Sequence, residues 1–433
     1  MGQTDLRLAP NLVAALLRKN ILYLALSQVA NYVLPLITIP YLTRTLGPEA
    51  YGLSEWGITA YLYLTAVVIF GFHTTGTRTA AQSQGNPTTL STLFSAIFYT
   101  RVFLALAMVL AAIALALTPA LESYHMLFWA GLPLLLGWMF YPEFHFQGSQ
   151  NIAPLAVGNF IVKTIATFFI FLLIKQSADY WIVLAIQGVA QLGVGAALFA
   201  WSFKSMPGLR LYFPGFSVLK QTLSEGWPVF LSHFFTRIYT FGSVLFVGWW
   251  VTSEELGWFS AGFKLVMVAQ SLIFIPLTGA LFPYLTTALA KGPSTYQRAF
   301  RKTFVLTLAA TAVIAAGLMA TGPWLIQLLF GISFAPAVPM VRIMAPLLVL
   351  TALHHFALQQ GLLIYSQDKT YLKIIVITGM VALMLNLVLT QNAGATGASW
   401  ARLLSELVPV VAGWLAFQKR KVTQKDAQSP PAT

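Results

Sequence analysis

Cysteine is absent from all 433 residues, which excludes disulfides, thiol catalysis and cysteine-based metal sites. Charge is scarce as well: Asp, Glu, Lys and Arg make up 9% of the chain, and only 12 residues are acidic against 25 basic ones. No GxxxxGK[ST] pattern occurs, and no GxGxxG follows an expected strand. The chain therefore binds no ATP of its own and is not a primary pump. The Gly193-Val-Gly195 pair lies inside an apolar run and reads as close packing. The longest expected outer loop, Gly322 to Met340, is short for a membrane glycosyltransferase or polymerase, and the outer carboxylates (Glu49, Glu122, Asp179, Glu254, Glu255) are scattered. No metal or cofactor is expected.

Apolar residues fill the space that charge leaves. They make up 58% of the sequence, mean hydropathy is +0.75, and apolar runs repeatedly reach the ~20 residues that cross a bilayer. The expected fold is an all-α integral membrane protein with twelve spans, at 20–42, 53–73, 93–117, 126–146, 152–174, 180–203, 226–250, 257–287, 303–321, 341–365, 370–391 and 395–417. The first span is too long for a signal-peptide core and ends in Pro40-Tyr-Leu, so it is expected to stay attached. The net charge of +13 reflects topology, not a nucleic-acid partner. Lys and Arg cluster in the expected inner segments, as at Arg18-Lys19, Arg298 to Lys302 and Lys419 to Lys421, while the outer loops hold only Arg44, Lys175 and Arg342. This positive-inside pattern predicts cytoplasmic N- and C-termini.

The polar stretch Lys204 to Gln221, with Pro207, Gly208, Pro214 and Gly215, divides the chain into two six-span halves, 1–210 and 211–417. A basic then Ser/Pro-rich tail at 418–433 reads as disordered and cytoplasmic. Glu49-Ala-Tyr-Gly52-Leu-Ser-Glu-Trp-Gly57 aligns with Glu254-Glu-Leu-Gly257-Trp-Phe-Ser-Ala-Gly262: the Glu and both glycines match at one offset, each time at the first outer turn of its half. Paired halves are common in secondary transporters, which place substrate between them.

Five basic residues lie inside apolar spans: Arg101, Lys163, Arg237, Lys264 and Arg402. Each costs roughly 2.5 kcal/mol or more in a bilayer core unless it faces protein, water or an anion. Arg402 has Glu406 one turn on, which predicts a structural pair. Arg101 and Lys264 lie within partial snorkelling reach of a span end. Lys163 and Arg237 are near mid-span with no carboxylate within a turn. Polar residues also recur at helical spacing: Gln28, Asn31 and Thr38; Asn159, Lys163 and Thr167; Gln187 and Gln191; His233 and Arg237; His355 and Gln359. Any one row could be polar glue between helices; together they favour a shared wet cavity. Its lining is more basic than acidic, which favours an anion over a cationic drug. Pro35 and Pro40 in the first span, and Pro276, Gly279 and Pro283 in the eighth, permit kinks or hinges.

The stretch Pro40-Tyr-Leu-Thr-Arg-Thr-Leu-Gly47-Pro-Glu-Ala-Tyr-Gly52 resembles the first-turn signature of the polysaccharide-transporter branch of the multidrug/oligosaccharidyl-lipid/polysaccharide (MOP) superfamily. Gly71-Phe with Gly76-Thr-Arg-Thr-Ala, Pro142-Glu-Phe-His-Phe-Gln-Gly148 and Leu329-Phe-Gly331 resemble it too, with His145 standing where an aliphatic residue is more usual. The similarity is greatest to Wzx-type O-antigen flippases. It implies two six-helix bundles in a MATE-like arrangement around a central cavity, in the bacterial inner membrane. It also implies movement of an undecaprenyl-diphosphate-linked oligosaccharide to the periplasmic leaflet, with a polysaccharide polymerase and chain-length regulator in the same pathway. On this reading Arg237, Lys163 and Lys264 hold the diphosphate, with Arg101 and Arg78 on the cytoplasmic side. Gln28, Asn31, Asn159, Gln187, Gln191 and His233 line the cavity, and Glu143, Glu225 and His233 are candidates for proton coupling. Trp56 and Phe241 are candidates for stacking on sugar rings. The alternative is an ion-coupled drug exporter of the same fold, which would want a buried Asp or Glu; the first span has none.

Overall fold

A computed structural model describes the backbone from Pro10 to Gln428 and the side chains from Leu34 to Lys419. Every regular element among these residues is helical. α1 runs Pro10–Ile69, α2 Phe72–Gln82 and α3 Pro87–Ala116. Three short helices follow, α4 His125–Ala130, α5 Leu132–Met139 and α6 Glu143–Gly148, then α7 Ala153–Leu173 and α8 Ile182–Ser205. The remainder comprises α9 Phe216–Trp250, α10 Ser253–Ala290, α11 Pro293–Leu329, α12 Val338–Met344, α13 Leu347–His355, α14 Asp368–Ser405 and α15 Leu407–Gln428. A single π turn, Phe356–Gln360, extends α13.

Large apolar side chains point outward along these helices, among them Leu106 and Leu110 on α3, Phe168 and Leu172 on α7, Val313 on α11 and Met384 on α14. In water such a surface would aggregate; facing lipid tails it carries no penalty. Nine helical stretches among the described residues are long and apolar enough to cross a membrane, where twelve were expected. Three local breaks explain the difference. Leu34–Gln82 counts once although it holds the end of the first expected span and all of the second, and Asp368–Lys419 counts once although it covers the last two. The expected fourth span, 126–146, is cut into α4, α5 and α6 and has no uninterrupted apolar helix of sufficient length.

Glycine, not proline, sets the bends. α1 turns at Gly47, whose φ of 72° is open to a residue without Cβ. α14 turns at Ala393 and Gly394, the latter with φ 53° and ψ −139°. Pro35, Pro40, Pro276 and Pro283 all sit inside continuous helix. The fourth span breaks first at Gly131, where a Cβ would lie 2.2 Å from the Tyr61 ring. The same Tyr61 donates its hydroxyl to the Phe128 carbonyl and ties α4 to α1.

The α14 bend is held by a side chain. Glu255 accepts the Ala395 N–H at 2.8 Å, while its own N–H is capped by Thr252 Oγ1 at 3.2 Å. Glu255→Ala is expected to cost ~1–3 kcal/mol by orphaning that backbone donor, read as a lower Tm in detergent. Unchanged melting would mean the bend stands without it.

Packing divides the chain into two compact units. One contains the chain up to Thr45 together with Ala60–Phe230; the other contains Leu46–Thr59 and the chain from Leu231. In the first, α5 and α7 pack on α8, and α2 on α6. Gly195 gives α8 its close approach, because a Cβ there would lie 2.4 Å from the Gly137 carbonyl of α5; Gly193 has open space instead. In the second, α10 packs on α11 and α14 on α15, around an aromatic core of Tyr296, Phe300, Phe356 and Phe417. Helix α15 carries the chain to Gln428, into the segment expected to be disordered.

Candidate functional site

The five intramembrane cations separate into two groups. Arg101, on α3, is 1% exposed and does not snorkel. Its Nη2 meets Glu143 Oε1 at 2.7 Å and its Nη1 donates to the Tyr141 carbonyl at 2.5 Å. The rings of Phe72 and Phe144 each lie 5.9 Å from the guanidinium carbon. Glu143 is the first residue of α6, and its second carboxylate oxygen accepts from Arg101 Nη1 at 3.3 Å. Two of the expected site residues thus pair with one another inside the first unit.

Arg402 forms the spaced pair expected with Glu406, Nη1 to Oε2 at 2.7 Å, and both side chains are buried. The environment is richer than i,i+4 spacing shows. His354 also meets the Glu406 carboxylate, Thr351 donates to it at 3.4 Å, Gln270 donates to Thr351 at 2.7 Å, and Tyr239 lies 5.2 Å below the guanidinium.

Lys264 differs from both. It pairs with Glu55, 209 positions earlier, yet 31% of its side chain stays accessible, against 14% for Glu55. The Tyr51 ring lies 5.6 Å from the ammonium, and Ser260, one turn before Lys264, is buried at 2% exposure. The arm Leu46–Thr59 and α10 build this cluster inside the second unit. Trp56 fixes the arm by donating from Nε1 to the Leu245 carbonyl at 3.3 Å.

Lys163 and Arg237 are half-buried, Lys163 in the first unit and Arg237 in the second, and both interact with neighbouring groups. On α7 the buried stripe is Ala156, Val162, Ala166 and Ile170, and the polar row Asn159, Lys163 and Thr167 runs half-exposed beside it. Gln187 and Gln191 are half-buried on α8, with the Gln191 Nε2 lacking an acceptor. Arg78, Glu225 and His233 are exposed, and Glu225 accepts from Gln221 at 2.9 Å. Phe241 is half-buried, 6.1 Å from the Phe263 ring. The side chains of Gln28 and Asn31 lie outside the described residues. Of the five diphosphate candidates, Arg78, Arg101 and Lys163 belong to the first unit, Arg237 and Lys264 to the second.

Residues missed by sequence reasoning are the distant partners. They are Glu55, the partner of Lys264, and His354, which joins Arg402 at the Glu406 carboxylate. One signal could have found Glu55: the internal repeat, whose two copies carry the arm and the start of α10.

Similarity to known proteins agrees with this architecture. In structure the chain resembles an inward-facing multidrug resistance MATE family transporter of the MOP superfamily, with TM-score 0.76, 12% identity, and coverage of 94% of this chain and 99% of that one. It also resembles the lipid II flippase MurJ in an inward closed conformation, with TM-score 0.71, 13% identity, and coverage of 92% and 87%. At these identities the likeness establishes the fold, that of the MOP superfamily. In sequence it is 26% identical over 397 residues to an Escherichia coli (strain K12) protein named "Putative O-antigen transporter", covering 90% of this chain and 94% of that one. A Shigella dysenteriae protein of the same name is 25% identical over 399 residues, covering 91% and 98%. The family described as polysaccharide biosynthesis protein matches residues 17–289, well over half of the chain. With its helical membrane-type fold and its first-turn signature, this chain belongs to the polysaccharide biosynthesis protein family.

Proposed function

We propose that this protein is a flippase that moves an undecaprenyl-diphosphate-linked oligosaccharide, an O-antigen or similar repeat unit, from the cytoplasmic to the periplasmic leaflet of the bacterial inner membrane by alternating access. The observation that carries the reading is the division among the cations. Arg101 and Arg402 are buried at 1% and 3% exposure, whereas Lys163, Arg237 and Lys264 are only half-buried within apolar helices, Lys264 while paired with Glu55. A membrane protein retains accessible mid-span cations where an anion passes, and charge-assisted bonds to phosphate suit Lys and Arg. Lys163, Arg237 and Lys264 are therefore the residues that meet the diphosphate, with Glu55 as the counter-charge that Lys264 exchanges for it. Relatives named as O-antigen transporters support the sugar substrate. The termini are cytoplasmic on this reading, and a polymerase and chain-length regulator act downstream. For proton coupling, Glu225 and His233 are the exposed candidates, while Glu143 is held by Arg101. The MATE likeness supports a second reading, an exporter of small cations; it predicts efflux that falls when a buried carboxylate is removed.

Arg237→Ala and Lys163→Ala, made singly, are each expected to slow surface polysaccharide accumulation roughly tenfold or more at matched protein level, since a bond to a charged group contributes ~1.5–3 kcal/mol. Undiminished accumulation in both variants would remove the anion reading.

A further inference from the structure

The α10–α11 hairpin, away from the mid-span cations, holds a second basic site. α10 ends at Ala290, Lys291 caps it, and Gly292 (φ 120°) turns the chain into α11. A groove of about 380 Å³ lies between the two helices, lined by Tyr284, Thr287 and Lys291 on one side and by Thr295, Arg298 and Lys302 on the other, with Ala288 and Ala299 as its buried floor. That volume falls in the range of small-ligand sites. The spacing explains the convergence. Tyr284, Thr287 and Lys291 sit at i, i+3 and i+7 on α10, and Thr295, Arg298 and Lys302 at i, i+3 and i+7 on α11, so each helix turns one polar stripe toward the other.

The charge of the groove is unbalanced. Lys291, Arg298 and Lys302 line it without a carboxylate, and the sequence has no Asp or Glu at all between Glu255 and Asp368. Three cations line the groove together with the Thr295 and Tyr284 hydroxyls, donors of the kind that phosphate accepts from, while the Thr287 hydroxyl donates to the Pro283 carbonyl at 2.9 Å. Val305 and Leu306, 54% and 60% exposed, follow Lys302 by three and four residues and so continue its face of α11. A ligand phosphate in the groove would thus have apolar surface beside it for hydrocarbon. The positive-inside pattern places this turn at the cytoplasmic leaflet, where anionic lipid accumulates.

We propose that the groove between α10 and α11 binds the phosphodiester headgroup of an anionic membrane phospholipid, held by Lys291, Arg298 and Lys302 with its acyl chains along Val305 and Leu306. The shared chemistry with a soluble anion is the phosphate; the exposed apolar flank favours the lipid.

Native mass spectrometry of the full chain, titrated with diphosphatidylglycerol, with phosphatidylcholine and with inorganic phosphate, tests this. The triple variant Lys291→Gln/Arg298→Gln/Lys302→Gln should lose at least tenfold in diphosphatidylglycerol affinity and little for phosphatidylcholine. A control variant in the other basic segment, Lys204→Gln/Arg210→Gln/Lys220→Gln, removes the same charge and should stay within about twofold of wild type, since these residues do not line the groove. Equal losses in both triple variants, or none in either, overturn the site. Displacement of the lipid by millimolar inorganic phosphate assigns the groove to a soluble anion and overturns the lipid source. Should the triple variant not fold, Arg298→Gln alone decides: a threefold or greater loss supports the site, and unchanged affinity overturns it. Transport is not read in this assay, so its outcome is independent of the flippase reading.

Discussion

Glu143→Ala is expected to lose ~3–5 kcal/mol of stability and most of the folded protein in the membrane, through Arg101 more than through Glu143 itself. The guanidinium of Arg101 is 1% exposed, and its nearest formal charge is the Glu143 carboxylate at 2.7 Å. Removing one member of a buried pair leaves the other charge in a poor dielectric without compensation, and that orphan accounts for most of the loss. The Tyr141 carbonyl and the Phe72 and Phe144 rings stay in place, but neutral acceptors and ring faces offset only part of a full charge. The double variant Arg101→Met/Glu143→Leu is therefore expected to melt above Glu143→Ala, because an apolar pair of similar size carries no desolvation cost. Thermal melting in detergent, followed by the fraction that remains monodisperse, separates the two. A double variant no more stable than Glu143→Ala would show that the side chains matter for something other than mutual neutralisation. Glu143→Gln adds a functional control: a well-folded variant with transport abolished would support Glu143 as a proton carrier.

The Arg101–Glu143 pair also shows where sequence reading stops. Arg402 and Glu406 are four residues apart, so helical spacing alone predicts their bond, and the bond is there. Arg101 and Glu143 are 42 residues apart, and Lys264 and Glu55 are 209 apart; nothing local in either segment points to the other. The helices were legible because apolar run length is a one-dimensional signal. Their breaks were less so, since the prolines that draw attention sit in unbroken helix while Gly47 and Gly394 make the bends. Periodicity likewise found the polar row on α7 but not its orientation. That is fixed by small and β-branched residues on the adjacent face, Ala156, Val162 and Ala166, which fit against α8.

Gly257→Ala is expected to be strongly destabilising, although it adds a single methyl group. A Cβ at Gly257 would lie 1.9 Å from the Pro48 carbonyl oxygen, and one at Gly52 would lie 2.3 Å from the Ser253 carbonyl and 2.6 Å from the Gly257 nitrogen. These obstacles are backbone, which cannot rotate away as a side-chain tip can, so the arm Leu46–Thr59 would have to move off α10. Overpacking of this kind typically costs ~1–3 kcal/mol, occasionally more, and here the displacement would also pull Glu55 from Lys264 and Trp56 from the Leu245 carbonyl. Gly279→Ala on the same helix is the control, because a Cβ there meets nothing within 4 Å. Helix propensity favours Ala by about 1 kcal/mol, so Gly279→Ala should melt at or above wild type while Gly257→Ala melts well below. Equal melting of the two would mean that the arm does not rest on α10. Gly52 and Gly257 are also the residues that align in the internal repeat, and they meet each other in space: each copy of the turn supplies the glycine that lets the other approach. A repeat retained at such a contact preserves a close approach of backbones, and the accessible ion pair of Glu55 and Lys264 lies one and two turns beyond those same glycines, so the pair depends on a contact that tolerates no side chain.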